Sequence, residues 1–339
     1  MSKILVTGGL GYIGSHVVVE LQKNGFDVII IDDLSNSSKQ TLNGIYKITG
    51  IKPIFKKIDL KNKLLVEEFF KNHSDIDGVI HFAASKAVGE SLIDPIKYYN
   101  NNLNSLINLL LELKKLKSPK LIFSSSCAVY GQAVNLPIKE NFNSTNLRSP
   151  YAKTKKISEQ IIKDLSKSNK SLNSIVLRYF NAIGAHKSGY IGENPIGKPQ
   201  NLVPIITRTA IGVYDKLKIF GSDYSTPDGT AVRDYIHVVD LAKAHLKAII
   251  HLIGKKNTKN YDVFNVGTGK GTSVLEIIEL FEKISNKKLD FTFSERRDGD
   301  VESAYADSTK ANKILGWRSE ISLDDALISA LKWERNNSA

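Results

Sequence analysis

Apolar positions along the first half of the chain follow two alternating patterns. Short runs at 3–7, 27–31, 53–57, 78–82 and 120–124 are rich in Val, Ile, Leu and Phe. Runs of this length and composition predict strands buried inside a parallel sheet. Between them, segments 12–24, 39–50, 63–72 and 95–116 repeat apolar residues at three- and four-residue spacing, which predicts helices with one buried face. In the last of these the face is Leu106, Leu109, Leu110, Leu113 and Leu116, and Pro95 suits a first helical turn. A further helix at 151–166 and a strand at 174–178 continue the rhythm. Strand and helix in strict alternation predict right-handed βαβ units, hence an α/β fold with a Rossmann-type, doubly wound parallel sheet.

From residue 181 the rhythm fails. Residues 184–201 are rich in glycine and proline with no period, and a loop of that length is usually functional. Helices follow at 202–214, 239–252 and 273–284, short strands at 218–220, 262–266 and 288–293, and two helices after 308. The 339 residues thus divide into a nucleotide-binding domain at 1–180 and a smaller mixed α/β domain at 181–339, with chain crossings between them expected.

Doubly wound sheets bind ligands beyond the carboxyl ends of their strands. After the first strand come Gly8, Gly11 and Gly14, and then a helix. Such a turn lets a pyrophosphate approach the backbone and meet the free amides of a helix N-terminus. Asp32 and Asp33 end the second apolar run. A carboxylate there accepts hydrogen bonds from ribose hydroxyls and repels a 2′-phosphate, so the expected cofactor is NAD.

A second cluster carries the chemistry. Ser126 closes the strand of the 120s, and Tyr151 and Lys155 lie four apart, on one face of a helix. A tyrosine ordinarily titrates near ~10. A lysine ammonium one turn away, with an oxidised nicotinamide ring, favours the phenolate. Tyr151 can then take a proton from a substrate hydroxyl while hydride leaves the same carbon, with Ser126 hydrogen-bonded to that hydroxyl.

Composition narrows the rest. The chain is 42% hydrophobic, has no long apolar run, and opens directly into a strand, so neither membrane span nor secretory leader is expected. One cysteine, Cys127, leaves no internal disulfide and no cysteine-rich metal site, and fits the cytoplasm. The net charge is +12, but only eight of the 47 cations are arginine. The lysines are scattered over helix faces among Asn, Ser and Glu, which reads as a solvated surface and not as a nucleic-acid footprint. His81, within a strand, and His237, leading into a helix, are read as structural. The Gly267-Thr-Gly-Lys-Gly segment lacks the P-loop spacing and is read as a turn.

The segments Thr-Gly-Gly-x-Gly-Tyr-Ile-Gly (7–14), His-Phe-Ala-Ala-Ser-Lys-Ala-Val-Gly-Glu-Ser (81–91), Tyr-Tyr-Asn-Asn-Asn (98–102), Leu-Arg-Tyr-Phe-Asn (177–181), Ala-Val-Arg-Asp-Tyr-Ile-His-Val (231–238) and Arg-Arg-Asp-Gly-Asp (296–300) extend the Ser…Tyr-x-x-x-Lys set. With them the chain resembles, nearly end to end, the UDP-hexose 4-epimerases of the extended short-chain dehydrogenase/reductase family. The resemblance implies that Gly8, Tyr12 and Ile13 line the pyrophosphate turn. Asp32, Asp33, Asn36 and Ser37 would surround the adenosine ribose, with Asp59 and Leu60 at the adenine. Phe82, Ala83, Lys86, Asn101, Ser124 and Phe180 would line the remaining cofactor path. Asn181, Asn201 and Leu202 would reach the nucleotide sugar, and Ile219 and Phe220 the uracil. Arg233 and Arg297 would grip the UDP pyrophosphate; Arg296 stands beside the second, and only the resemblance chooses between them. Asp300 would contact the uridine end. The implied second domain binds the UDP-sugar, and the implied assembly is a homodimer through helices 95–116 and 151–166. The implied reaction is C4 epimerisation through a 4-keto sugar. The alternatives are a nucleotide-sugar 4,6-dehydratase, which in that branch carries an Asp–Glu pair after the catalytic Ser/Thr where this chain has Cys127 and Ala128, and a non-catalytic NAD-binding regulator. Ala304 falls at the family's sugar-pocket gate. A small residue there implies room for N-acetylated UDP-hexoses.

Overall fold

The computed structural model describes residues 2–337. Its centre is a seven-stranded sheet, parallel throughout. In chain order the first half runs β1 (Lys3–Thr7), α1 (Tyr12–Lys23), β2 (Asp27–Asp32), α2 (Gln40–Thr49), β3 (Ile54–Lys57), α3 (Lys63–Asn72), β4 (Gly78–His81), α4 (Val88–Ile93), α5 (Pro95–Leu113), β5 (Lys120–Ser126), α6 (Pro150–Ser168) and β6 (Asn173–Tyr179). The second half runs β7 (Asn181–Ile183), α7 (Leu202–Ala210), β8 (Leu217–Phe220), β9 (Val232–Arg233), β10 (Tyr235–His237), α8 (Val238–Ile253), β11 (Tyr261–Val266), β12 (Thr272–Ser273), α9 (Val274–Ser285), β13 (Phe291–Ser294), β14 (Ser303–Ala304) and α10 (Leu323–Asn337).

The sheet order is β3-β2-β1-β4-β5-β6-β11. Side chains alternate between its faces, as pleating requires. Ile4, Val6, Ile30, Ile80, Ile122, Leu177 and Phe264 point to one side, where α1, α2 and α8 pack. Leu5, Ile29, Val79, Phe123 and Val176 point to the other, under α3, α5 and α6. The order of the strands reverses between β1 and β4: β2 and β3 lie outward of the first, β5 and β6 outward of the second. The loops leaving these two strands therefore part there and open a crevice. They part only just: Gly8 has φ +68°, and a Cβ on it would stand 2.8 Å from the Ala83 amide nitrogen.

The last strand of the sheet, β11, comes from the second half of the chain, and α8 covers the sheet beside α1. The chain thus returns to the first domain after leaving it at β7. The remaining second-half elements build their own core from Val203, Ile206, Leu217, Ile219, Ile277, Phe281 and Leu327. Their short strands are two to four residues long, too short to show a period. The glycine-rich segment at 267–271 is a turn into α9. Its Thr268 and Gly269 amides bind the chain's own Asp234 carboxylate, at 2.8 and 3.0 Å. The helix then starts on a Ser273–Glu276 capping box. No helix among the described residues is long and apolar enough to cross a membrane.

A buried ion pair fastens α6 to the sheet. Arg178 of β6 forks onto Glu159 of α6, Nε to Oε1 at 2.9 Å and Nη2 to Oε2 at 2.6 Å. Ser125 of β5 donates to the same carboxylate at 2.6 Å. Arg178 also donates to the Tyr130 hydroxyl, which donates to Asn265 of β11. Removing one partner of such a pair strands a buried charge and costs about 3–5 kcal/mol. Arg178→Met is expected to lose roughly that much stability in urea unfolding. Adding Glu159→Met should recover part of it; a double variant less stable than the single one contradicts the reading.

Candidate active site

A continuous cleft of about 2500 Å³ runs along the carboxyl ends of the strands and between the two halves of the chain. Of the catalytic, cofactor and sugar-nucleotide residues expected from sequence, all but Ser124 line it.

At one end lies the glycine turn. Gly14 faces the turn so closely that a Cβ would stand 2.3 Å from the Gly8 carbonyl oxygen. Helix α1 begins after Gly11 with no side-chain cap and no acidic residue in its first turn. Its leading amides and the positive end of its dipole are therefore free for an anion. Asp32 is held rigid at the turn's edge, accepting from the Leu10 and Leu34 amides and from the Ser37 hydroxyl. Asp33 is more exposed and binds Ser35.

The catalytic candidates sit midway. Ser149 caps α6 by accepting from the Ala152 amide, and Pro150 is its first residue, so Tyr151 and Lys155 project from the first turns. Both are buried, as is Ser126 at the end of β5. The Lys155 ammonium donates to the Ser124 carbonyl at 2.7 Å and lies 6.0 Å from the centre of the Tyr151 ring. Burial pushes Lys155 down to about 8, against the opposing pull of the Glu159 charge. Burial pushes the Tyr151 phenol up to about 12, and the Ser126 side chain pulls the other way. In the protein alone, then, burial keeps the phenol protonated, and the lysine's hydrogen bond goes to the Ser124 carbonyl.

Ser124 is buried beneath this trio. Its hydroxyl lies 3.1 Å from His245 Nε2. His245 is held neutral, pushed down to about 4 by burial, and its Nδ1 is 2.9 Å from the Leu241 carbonyl. Nδ1 must carry the proton, so Nε2 accepts from Ser124. The serine's contribution to the cleft is its carbonyl, which orients Lys155. His81 and His237 lie off the cleft. Thr7 engages the first at 2.8 Å, and the second caps α8 through the Val239 amide.

At the far end the adjacent arginines separate. Arg296 pairs with Asp223 and stacks on Tyr224, 4.2 Å from its ring centre. Arg297 turns into the cleft over the Phe220 ring at 4.1 Å. Arg233 lies 3.5 Å from Asp300. Ala304 is buried beside Val129, Tyr130 and Phe180.

Residues 5–329 match the family model described as GDP-mannose 4,6 dehydratase. The UDP-glucose 4-epimerase of Dictyostelium discoideum is 47% identical over 99% of this chain and 96% of its own. That of Bacillus subtilis is 45% identical over 98% and 97%. The structure of UDP-glucose 4-epimerase from Bifidobacterium longum in complex with NAD+ and UDP superposes with a TM-score of 0.96, at 44% identity over 99% of both chains. The chain belongs to the UDP-glucose 4-epimerase family.

The family model's dehydratase description and the epimerase relatives share a fold, and the site separates the two chemistries. After Ser126 this chain has Cys127, a thiol that burial pushes up to about 11, and Ala128. Neither is an acid for elimination. Among the cleft residues that the sequence does not single out is Glu193, whose carboxylate reaches both Lys86 and Asn201. It is the only acidic residue within 184–201, which is the one signal that could have found it.

The Lys155 shift has a measurable consequence. A buried lysine held below its ordinary value costs stability while it stays charged, and that cost fades as pH rises from the folded toward the unfolded value. Between about pH 7.5 and about pH 10.5, the stability of the wild type relative to Lys155→Met should rise by on the order of 3 kcal/mol. A difference that stays flat across this window contradicts the assignment.

Proposed function

We propose that this chain interconverts UDP-glucose and UDP-galactose by epimerisation at C4, with NAD as its resident cofactor. The observation that carries the reading is that one cleft holds the glycine turn, the Ser126–Tyr151–Lys155 set and the two arginines Arg233 and Arg297. The turn fits a dinucleotide: its glycines leave no room for side chains, and α1 offers uncapped amides. Asp32 and Asp33 stand where ribose hydroxyls would be bound. Asn36, Ser37, Asp59 and Leu60 extend that surface, and Phe82, Ala83, Lys86, Asn101 and Phe180 continue it toward Tyr151. NAD bound there supplies the acceptor for the C4 hydride and the donor for its return.

Tyr151 takes the O4 proton and later gives it back, while Ser126 holds O4 by a hydrogen bond. Lys155 is the protein's own positive charge beside the phenol. Arg233 and Arg297 hold the UDP pyrophosphate as guanidinium forks, with Phe220 and Ile219 beneath the base and Asp300 at the uridine end. Asn181, Asn201 and Leu202 border the sugar. Held by its nucleotide, the 4-keto sugar turns its other face to the hydride donor, and no net redox change results.

A homodimer through α5 and α6 is part of the reading. Ile96, Ile107 and Ile157 are exposed on these helices, as an unpaired contact face would have them. The lone cysteine supports a cytoplasmic location.

Purified protein incubated with UDP-galactose should yield UDP-glucose without net NADH, and Tyr151→Phe should lower kcat by about 10²–10⁴-fold. A keto-deoxy sugar product would establish the dehydratase instead, and no turnover would leave a binding protein.

We also infer that N-acetylated UDP-hexoses are accepted, because Ala304 leaves the sugar end of the cleft open. Ala304→Tyr should cut turnover of UDP-N-acetylglucosamine by at least about tenfold more than turnover of UDP-glucose. Equal loss on both substrates sinks the idea.

A further inference from the structure

Glu193 is a carboxylate in a cleft read as receiving two pyrophosphates, where another negative charge works against binding unless it is paired. Its side chain is 9% exposed and is fixed from behind by α10. The Trp333 indole donates to the Glu193 carbonyl at 3.0 Å. Gly192 lies so flat on the same ring that a Cβ would stand 2.3 Å from it. So placed, Glu193 Oε1 accepts from Lys86 Nζ at 3.0 Å and from Asn201 Nδ2 at 2.6 Å. Lys86 belongs to the loop after β4, which is held by the Ser85 amide on Asn102 and the Ala87 amide on the Tyr98 hydroxyl. Asn201 belongs to the other half of the chain, at the N-cap of α7.

The state of Asn201 is unusual. Asparagine at an N-cap ordinarily turns its side chain onto the helix's first amides. Here it makes no such bond, and its amide is committed to Glu193. The side chain therefore has two competing positions: one back on α7, the other on Glu193. Glu193 selects the second. Its charge also falls on Tyr12 of the glycine turn, where, after burial, it adds to the pressure that keeps the phenol protonated.

We propose that Glu193 is a positioning residue that ties Lys86 to Asn201, so that the cofactor half and the sugar-nucleotide half of the cleft are ordered together. This rests on the 4-epimerase reading of the site. Without the carboxylate, Lys86 loses its partner, and Asn201 is free to turn back and cap α7.

The test compares wild type, Glu193→Ala and Glu193→Gln as full-length protein. It reads NAD retained through gel filtration, KM and kcat for UDP-galactose with NAD supplied in excess, and melting temperature. For E193A we expect NAD retention to fall about fivefold and KM to rise about tenfold, with kcat within about threefold, from loss of a charge-assisted bond on each side. The melting temperature should hold, because α7 gains the cap it lacks. E193Q keeps an acceptor for Asn201 and should return KM to within about threefold of wild type. A fall in melting temperature with NAD retention and KM unmoved overturns the proposal, as does movement of one of the two with the other fixed. Wild type that neither retains NAD nor converts UDP-galactose overturns the underlying reading instead.

Discussion

The buried fork between Arg178 and Glu159 is the constraint on which the catalytic geometry hangs. Helix α6 carries Tyr151 and Lys155 and packs on the sheet through Ile162, fully buried, with Ile161 and Leu165 partly buried beside it. What sets its depth and rotation is a bidentate charge pair to β6, with Ser125 of β5 on the same carboxylate. Planar guanidinium on planar carboxylate leaves little freedom in angle. One turn nearer the helix start, Lys155 reaches the Ser124 carbonyl. The phenol is thereby held against the end of β5, beside Ser126.

The same logic of close approach governs the cofactor end. The loops leaving β1 and β4 nearly touch, and Gly8 and Gly14 stand where any side chain would strike backbone. Main chain sets the closest approach there, so the width of the turn does not depend on a side-chain rotamer. The far end is softer. Arg297 rests on Phe220 and Arg233 on Asp300, contacts that a nucleotide can replace. A rigid cradle for one ligand and exchangeable contacts for the other suit a protein that keeps its cofactor while its substrate comes and goes.

Much of this was legible in the sequence where local pattern and tertiary burial agree. Strands β1 and β2 read as strands because both of their faces are covered, which leaves an unbroken apolar run. Tyr151 and Lys155 read as a pair because helical spacing alone puts them together. Legibility ended where position depends on distant partners. The six-residue α4 has too few residues to show a period and is stopped by Asp94, whose side chain caps α5. Helix α5 itself ends at Leu113, short of Leu116. Strand β11 was visible as a strand, but its pairing with β6 was not. The resemblance put Ser124 on the cofactor path, yet its hydroxyl turns into the core toward His245 of α8. Glu193 was invisible as a contact because Lys86 and Trp333, far away in sequence, determine what it touches.

The hydride account is tested most directly by isotope. UDP-galactose carrying deuterium at C4 is converted to equilibrium in ordinary water, and the UDP-glucose formed is assayed for the label. Transfer out and back within one closed site predicts that deuterium is retained at C4. Loss of the label to solvent contradicts it.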